Sequence, residues 1–172
     1  MSFSLYQATV PTMIQMLQSA QGWIEKAKAS DLSEEEIAGA CLREDMAPFP
    51  KQINWMLAYA HRGIEAVRKG VMNPDLEEPP QELEQMRLNI GAAENQLRAL
   101  SPAEVESFIG KEMRFVYEPH GVDLPFTAEN FLLGFAQPNF YFHATTAYAI
   151  LRHKGVELGK LDYLGPIPMK QG

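Results

Sequence analysis

The fold is decided by one uncharged stretch, NFLLGFAQPNFYFHATTAYAIL, which covers residues 130–151. Its 22 residues carry no formal charge when His143 is neutral, and this is long enough to span a bilayer. However, a proline, several amides, two threonines and the imidazole interrupt the apolar pattern, and no second span accompanies it. We therefore expect a helix buried at the centre of a protein that is not embedded in a membrane.

Apolar residues elsewhere in the chain recur at the three- and four-residue spacing of a helix buried on one face. This spacing predicts long helices over residues 5–29, 50–69 and 81–100, with the uncharged stretch lying inside a fourth helix over 127–154. The glycine- and proline-containing tail, 156–172, is predicted to be non-helical.

Two short helices are predicted where a serine is followed three residues later by a glutamate, the pattern of a capping box. They begin at Ser33 and Ser101. After the second short helix, apolar residues recur at every second position instead of at helical spacing, on both sides of Pro119-His120-Gly121. That change predicts a small β-hairpin directly before the last long helix.

Together these elements predict an all-α class and one domain over residues 1–172. The expected architecture is an up-down four-helix bundle with two short extra helices and the hairpin. A domain of this length can bury enough apolar surface without disulfides.

Composition excludes several classes of partner. The net charge of −7 and the absence of a basic stripe disfavour nucleic acid and anionic membranes. A lone cysteine, Cys41, cannot form an internal disulfide, and the N-terminus lacks the pattern of a secretory signal, so a cytoplasmic location is expected.

Two of the four histidines lie within predicted long helices, away from the ends. His61 shares a face with polar residues and is predicted to be solvated. His143 lies on the inward face of the uncharged helix, either as a core histidine with a buried partner or as a pocket residue acting as acid, base or ligand. In both cases it should lie within hydrogen-bond reach of Asp45, Gln52 or Asn139.

A metal site is not predicted around this histidine. Metal sites on helices commonly use a second histidine one turn away, but Ala147 follows His143 at that spacing and Asn139 precedes it. No helix carries a His-x-x-x-His or Glu-x-x-His pair, so neither a metal nor another cofactor is expected.

The chain also carries a long motif, PNFYFHATTAYAILRH over residues 138–153, followed by LGK at 158–160 and DYLG at 162–165. Two earlier pieces accompany it, LYQATVP at 5–11 and DMAP at 45–48 with Gln52. With these pieces the sequence resembles, over nearly its full length, a bacterial DUF1993-like family of unknown function within the DinB/YfiT-like four-helix-bundle superfamily.

The resemblance implies the four-helix-bundle fold of that superfamily, a homodimer, and a cleft between helices near His143. Many members of that superfamily bind a divalent metal through three histidines, two of them one turn apart on the last helix, and some are thiol-dependent transferases. Here His143 matches the first of that pair, Ala147 replaces the second, and no histidine lies near Asp45 to Gln52. The metal-dependent activity is therefore not carried over.

Two functional hypotheses remain. In the first, the protein binds a small ligand or acts as a dimer, with a degenerate metal site whose pocket is formed by His143, Asn139, Gln52 and Tyr148. In the second, it is a thiol-dependent transferase or hydrolase in which His143 is a metal ligand or a general base oriented by Asp45.

Overall fold

The computed structural model describes residues 4–170. The first long helix, α1 (Leu5–Lys28), begins with a capping box in which the Ser4 hydroxyl accepts from the Gln7 amide and the Gln7 side chain accepts from Ser4. These bonds satisfy amides that have no partner within the helix. The predicted capping box at Ser33 is also present, and it starts the short helix α2 (Glu34–Ala38).

The second long helix was predicted to be continuous, and that prediction was wrong. The structure has two helices, α3 (Phe49–Tyr59) and α4 (His61–Lys69), separated at Ala60, whose φ of −88° and ψ of −109° are not helical. Arg62 folds back over α3 and donates to the backbone oxygen of Asn54 at 2.6 Å. This contact between the two helices cannot be read from apolar spacing.

A three-stranded sheet lies beside the helices, and one strand of it was not predicted. The hairpin strands β2 (Glu112–Tyr117) and β3 (Val122–Thr127) pair antiparallel, which confirms the predicted hairpin. Strand β1 (Val71–Met72) pairs parallel with β2, so the order is β1-β2-β3. Gly70 turns the chain into β1 with a φ of +77°, a conformation that glycine adopts without steric cost.

The third long helix, α5 (Leu83–Arg98), is followed by the short helix α6 (Pro102–Glu106). The Ser101 hydroxyl accepts from the Glu104 amide, as predicted for a helix start. The Glu104 carboxylate does not complete the capping box, because it pairs with Arg68 of α4 instead.

The uncharged stretch forms a helix in three parts: α7 (Ala128–Phe131), a π-helical turn (Leu132–Ala136) and α8 (Gln137–His153). Pro138 has no amide hydrogen, and its ring would clash with the carbonyl four residues earlier in a regular α-helix. The π-helical turn directly before it widens the helix at this point.

The C-terminal tail contains a short helix, α9 (Lys160–Leu164), so the prediction of a non-helical tail was wrong there. Its position is set by contacts with α1. Trp23 donates from its indole nitrogen to the Asp162 carbonyl at 2.8 Å and stacks on Tyr163, while Gln15 donates to the Leu164 carbonyl at 2.6 Å.

The core lies among the long helices, where α1 packs on α5 and α8, and α3 packs on the same two helices. Its largest fully buried side chains include Trp23, Phe49, Phe131 and Phe140. The protein is thus mostly helical with a small sheet, as expected. Within residues 4–170, no helix combines the length and the apolar character needed to cross a membrane.

Candidate functional site

The predicted inward orientation of His143 is confirmed, and its predicted hydrogen bond is present. Only 8% of the residue is exposed, and Nδ1 lies 2.8 Å from Oε1 of Gln52 on α3. The Gln52 amide nitrogen donates to the Ala47 carbonyl at 3.0 Å. Because that carbonyl can only accept, Oε1 must face the imidazole, and Nδ1 of His143 must carry the hydrogen.

This arrangement leaves Nε2 of the neutral ring as a hydrogen-bond acceptor. Nε2 has no partner among residues 4–170, and it is not one of the fully buried polar atoms that lack one. Nε2 is therefore not fully buried, whereas Nδ1 is occupied by Gln52.

Two aromatic side chains of α3 hold the imidazole in place. The His143 ring lies 5.3 Å from the Trp55 ring at an angle of 56°, and it stacks on Tyr59 at 5.8 Å and 9°. Gln52, Trp55 and Tyr59 follow one another at three- and four-residue spacing, so they share a face of α3. That single face fixes both the position and the tautomer of His143.

A cavity of about 280 Å³ opens beside His143, and we refer to it as the aromatic pocket. Its lining joins α3 and α8 to the sheet and to the chain that follows β1. The lining residues are Trp55, Ala58, Tyr59, Met72, Pro74, Asp75, Leu76, Phe115, Tyr117 and His143. Most of these side chains are apolar or aromatic, which is typical of a small-molecule site.

Burial shifts the pKa of two rings in the pocket lining, His143 and Tyr59, away from ionisation. Removal from water lowers the pKa of His143 to about 4, since the charged imidazolium loses its hydration. Burial raises the pKa of Tyr59 for the corresponding reason, because it disfavours the phenolate. At neutral pH both of these rings are therefore uncharged.

The one carboxylate that lines the pocket, Asp75, is already engaged. It forms an ion pair with Arg62 and accepts from the Asn54 side chain at 3.1 Å and the Glu77 amide at 3.0 Å. Partial burial pushes the pKa of Asp75 upward, but these hydrogen bonds and the Arg62 charge outweigh it and lower the pKa. We refer to the lining residues Pro74, Asp75 and Leu76 as the pocket rim, and Asp75 brings no unpaired charge to it.

The structure does not bring the other predicted site residues to His143. Asp45 lies between α2 and α3 with 74% of its side chain exposed, and its carboxylate contacts Arg43. Asn139 donates to the Phe135 carbonyl at 2.8 Å, one turn earlier. The Tyr148 ring packs against Trp23 on another side of α8.

His61 differs from its predicted solvated state. It is half-buried at the start of α4, and its Nδ1 is fully buried without a hydrogen-bond partner in the described part of the chain. Burial and the neighbouring Arg62 charge lower its pKa to about 4. The prediction assumed one continuous helix, whereas His61 lies directly after the break at Ala60.

Comparison with known proteins places the chain in a family. Residues 5–164 match the family described as Domain of unknown function (DUF1993). This chain belongs to the DUF1993 family. No protein of the curated set matches the DUF1993 chain.

The DUF1993 chain is also similar to a solved structure, a DinB family member protein from Shewanella denitrificans. The two share 28% sequence identity and superpose with a TM-score of 0.79, covering 98% of this chain and 96% of the other. The resemblance to a DinB-like DUF1993 protein is thereby confirmed.

The metal that a DinB-like fold implies does not fit this DUF1993 site. Nδ1 of His143 is bound to Gln52, and the next residue along that face, Ala147, has no ligand atom. Nowhere between residues 4 and 170 do three His, Cys, Asp or Glu side chains lie close enough to share a metal ion. The aromatic rings of Trp55 and Tyr59 lie beside the His143 imidazole instead.

Sequence reasoning missed most of the pocket wall in this DUF1993 protein. Trp55 and Tyr59 could have been found from their helical spacing to Gln52, and Phe115 and Tyr117 from their alternation in the hairpin. Met72 gave no such signal, because its place in the wall depends on the unpredicted pairing of β1 with β2.

Proposed function

We propose that this chain binds a small uncharged molecule in the aromatic pocket and does not itself catalyse a reaction there. The observation that carries the proposal is the fixed, neutral state of His143, which leaves Nε2 as an acceptor beside a cavity of about 280 Å³. Of the predicted ligand-binding residues, the proposal retains His143 as the contact and Gln52 as the residue that positions it. Asn139 and Tyr148 have other contacts.

The alternative function, a transferase or hydrolase with His143 as general base, has less support. A general base works best when its pKa lies near the working pH, and a pKa of about 4 makes this imidazole a weak proton acceptor at pH 7. A carboxylate partner would raise that pKa, but the position is taken by the neutral amide of Gln52.

A fragment screen tests the binding proposal. Crystals or labelled protein would be exposed to a library of small uncharged compounds, with binding read from electron density or from amide chemical shifts. The expected result is occupancy beside His143 that is lost in Ala58→Met, because Ala58 lines the pocket and is 4% exposed. Gly22→Ala, whose added methyl group meets no atom within 4 Å, is the matched control. A library that never occupies the pocket would overturn the proposal.

We propose further that the four long helices of the chain form an up-down bundle, and that two copies of the chain associate as a homodimer. The packing of α1 and α3 on both α5 and α8 supports the bundle. Large apolar side chains at the surface, including Phe142 at 57% and Leu161 at 76% exposure, support a dimer. Sedimentation equilibrium should give twice the chain mass, and Phe142→Ser should shift it toward the monomer.

The free thiol of Cys41 supports a reducing compartment such as the cytoplasm.

A further inference from the structure

We infer that the aromatic pocket selects a flat, uncharged ring compound that carries one hydroxyl or N–H donor, such as a phenol or an indole. This inference rests on the proposed binding function and specifies its ligand class. Three properties of the pocket lead to it: the chemistry of its walls, the free acceptor on His143, and the neutralisation of its charge.

The walls favour a flat ring of limited size. Trp55 and Tyr59 approach from α3, and Phe115 and Tyr117 approach from the sheet. Aromatic side chains gain most from offset-stacked or edge-on contacts with another ring. A cavity of about 150 Å³ holds benzene, so one of about 280 Å³ accommodates a substituted single ring or two fused rings.

The free acceptor requires a donor on the ligand. Gln52 fixes the tautomer, so Nε2 presents a lone pair and no hydrogen. A ligand that excludes water without donating to Nε2 leaves a desolvated acceptor unpaired. We expect such a ligand to bind roughly 10- to 100-fold more weakly than its donor-bearing counterpart.

The charge balance disfavours ions of either sign. Aromatic walls with a nearby carboxylate would suit a cation, but Asp75 is held by Arg62, Asn54 and the Glu77 amide. An anion would find no free cationic group in the lining, because the Arg62 guanidinium is paired with that same carboxylate. A charged ligand would lose its hydration without gaining a partner.

Matched probe pairs test the inference on the full-length protein. Phenol and toluene have nearly the same shape and differ by the hydroxyl, and indole and indene differ by the N–H. Affinities would be measured by titration of amide chemical shifts, with benzoate and phenyltrimethylammonium as charged probes. His143→Phe keeps a ring at the site but removes the acceptor, while Ala58→Met fills the pocket.

The expected result is that phenol and indole bind at least tenfold more tightly than toluene and indene, and that His143→Phe abolishes this preference. Equal binding within both pairs would overturn the ligand class while leaving the pocket a binding site. If either charged probe bound more tightly than the neutral probes, the ligand class would also be overturned, and the pocket would remain a binding site. If none of the six probes binds in a way that Ala58→Met prevents, the ligand class is wrong. The proposed binding function would be overturned as well only if no compound of the wider fragment library occupied the pocket.

Discussion

Gln52 holds His143 through a neutral hydrogen bond, with Oε1 of the amide 2.8 Å from Nδ1 of the ring. A carboxylate at this position would stabilise the imidazolium, whereas an amide has no net charge with which to do so. Burial therefore determines the charge state, and the pKa of His143 falls to about 4. The residue at position 52 therefore decides the role of His143: an amide leaves the imidazole a neutral acceptor, whereas a carboxylate would make it a base that works at neutral pH.

Gln52→Glu should raise the pKa of His143 by about 1 to 3 units, because it places a negative charge against Nδ1–H. The pKa would be read from the pH dependence of the imidazole carbon and proton shifts. Gln85→Glu, an exposed change on α5, is the control and should leave His143 unaffected. An unchanged His143 titration in Gln52→Glu would mean that the hydrogen bond described between the two side chains does not form in solution.

Two histidines should make the fold less stable in mild acid. The pKa values of His143 and His61 are about 4 in the folded state and about 6.5 when unfolded, so below pH 6.5 the unfolded chain binds protons that the folded chain does not. The contribution of these two neutral histidines to the free energy of unfolding is therefore fully present above about pH 7, and it is lost as the pH drops toward 4. The expected loss between pH 7 and pH 5 is about 2 kcal/mol for each histidine.

Urea unfolding at pH 7 and pH 5 measures this loss. His143→Phe should remove about half of the difference between the two pH values, whatever its effect on stability at pH 7. His153→Asn, at the exposed end of α8, should leave the difference intact. A pH dependence that survives in His143→Phe combined with His61→Phe would contradict the assignment.

Features set by short-range chemistry could be predicted from the sequence. The capping box at Ser33 and the hairpin turn at Gly121 depend on residues within four positions of one another. The inward orientation of His143 was also predictable, since apolar residues surround it on its helix. Its partner, Gln52, was one of three polar candidates, and the sequence alone did not distinguish among them.

Features set by long-range contacts could not be predicted. Strand β1 has only two residues, Val71 and Met72, and exists because the distant β2 pairs with it. The break at Ala60 occurs without proline or glycine, where Arg62 reaches back to Asn54 and Asp75. Because α3, β1 and β2 all contribute to the aromatic pocket, its wall was missed while its central residue was found.

Gly165→Ala should displace α9 from α1. Gly165 has a φ of +61°, and an added Cβ would clash with the hydroxyl oxygen of Ser19, which is buried. Because both the backbone conformation and the space exclude a side chain, we expect a loss of about 1 to 3 kcal/mol. Trp23 fluorescence and thermal unfolding report it, since Trp23 stacks on Tyr163 of α9.

The control for this change is Gly22→Ala, within α1. Its added methyl group has no atom within 4 Å, so the substitution should stabilise the helix by roughly 0.5 to 1 kcal/mol. If the two substitutions changed stability by the same amount and sign, α9 would not be packed on α1 as described.

Arg62→Met should loosen the rim of the aromatic pocket. The change leaves Asp75, 20% exposed, without its counter-charge, and it removes bonds of 2.6 Å and 2.7 Å to the backbone and side-chain oxygens of Asn54. An ion pair that is partly shielded from water contributes more than an exposed one, so we expect a loss of about 2 kcal/mol. Hydrogen exchange should accelerate at the amide of Glu77, which donates to Asp75.

Arg114→Met provides the matched control for Arg62→Met. Arg114 pairs with Asp123 across the hairpin, but both side chains are largely exposed, at 59% and 43%. Water and salt screen such a pair, so its loss should destabilise the fold less than Arg62→Met does. Equal losses in the two variants, with unchanged exchange at Glu77, would show that the Arg62 pair does not hold the pocket rim. A larger loss for Arg62→Met at both low and high salt would show that partial burial sets its strength.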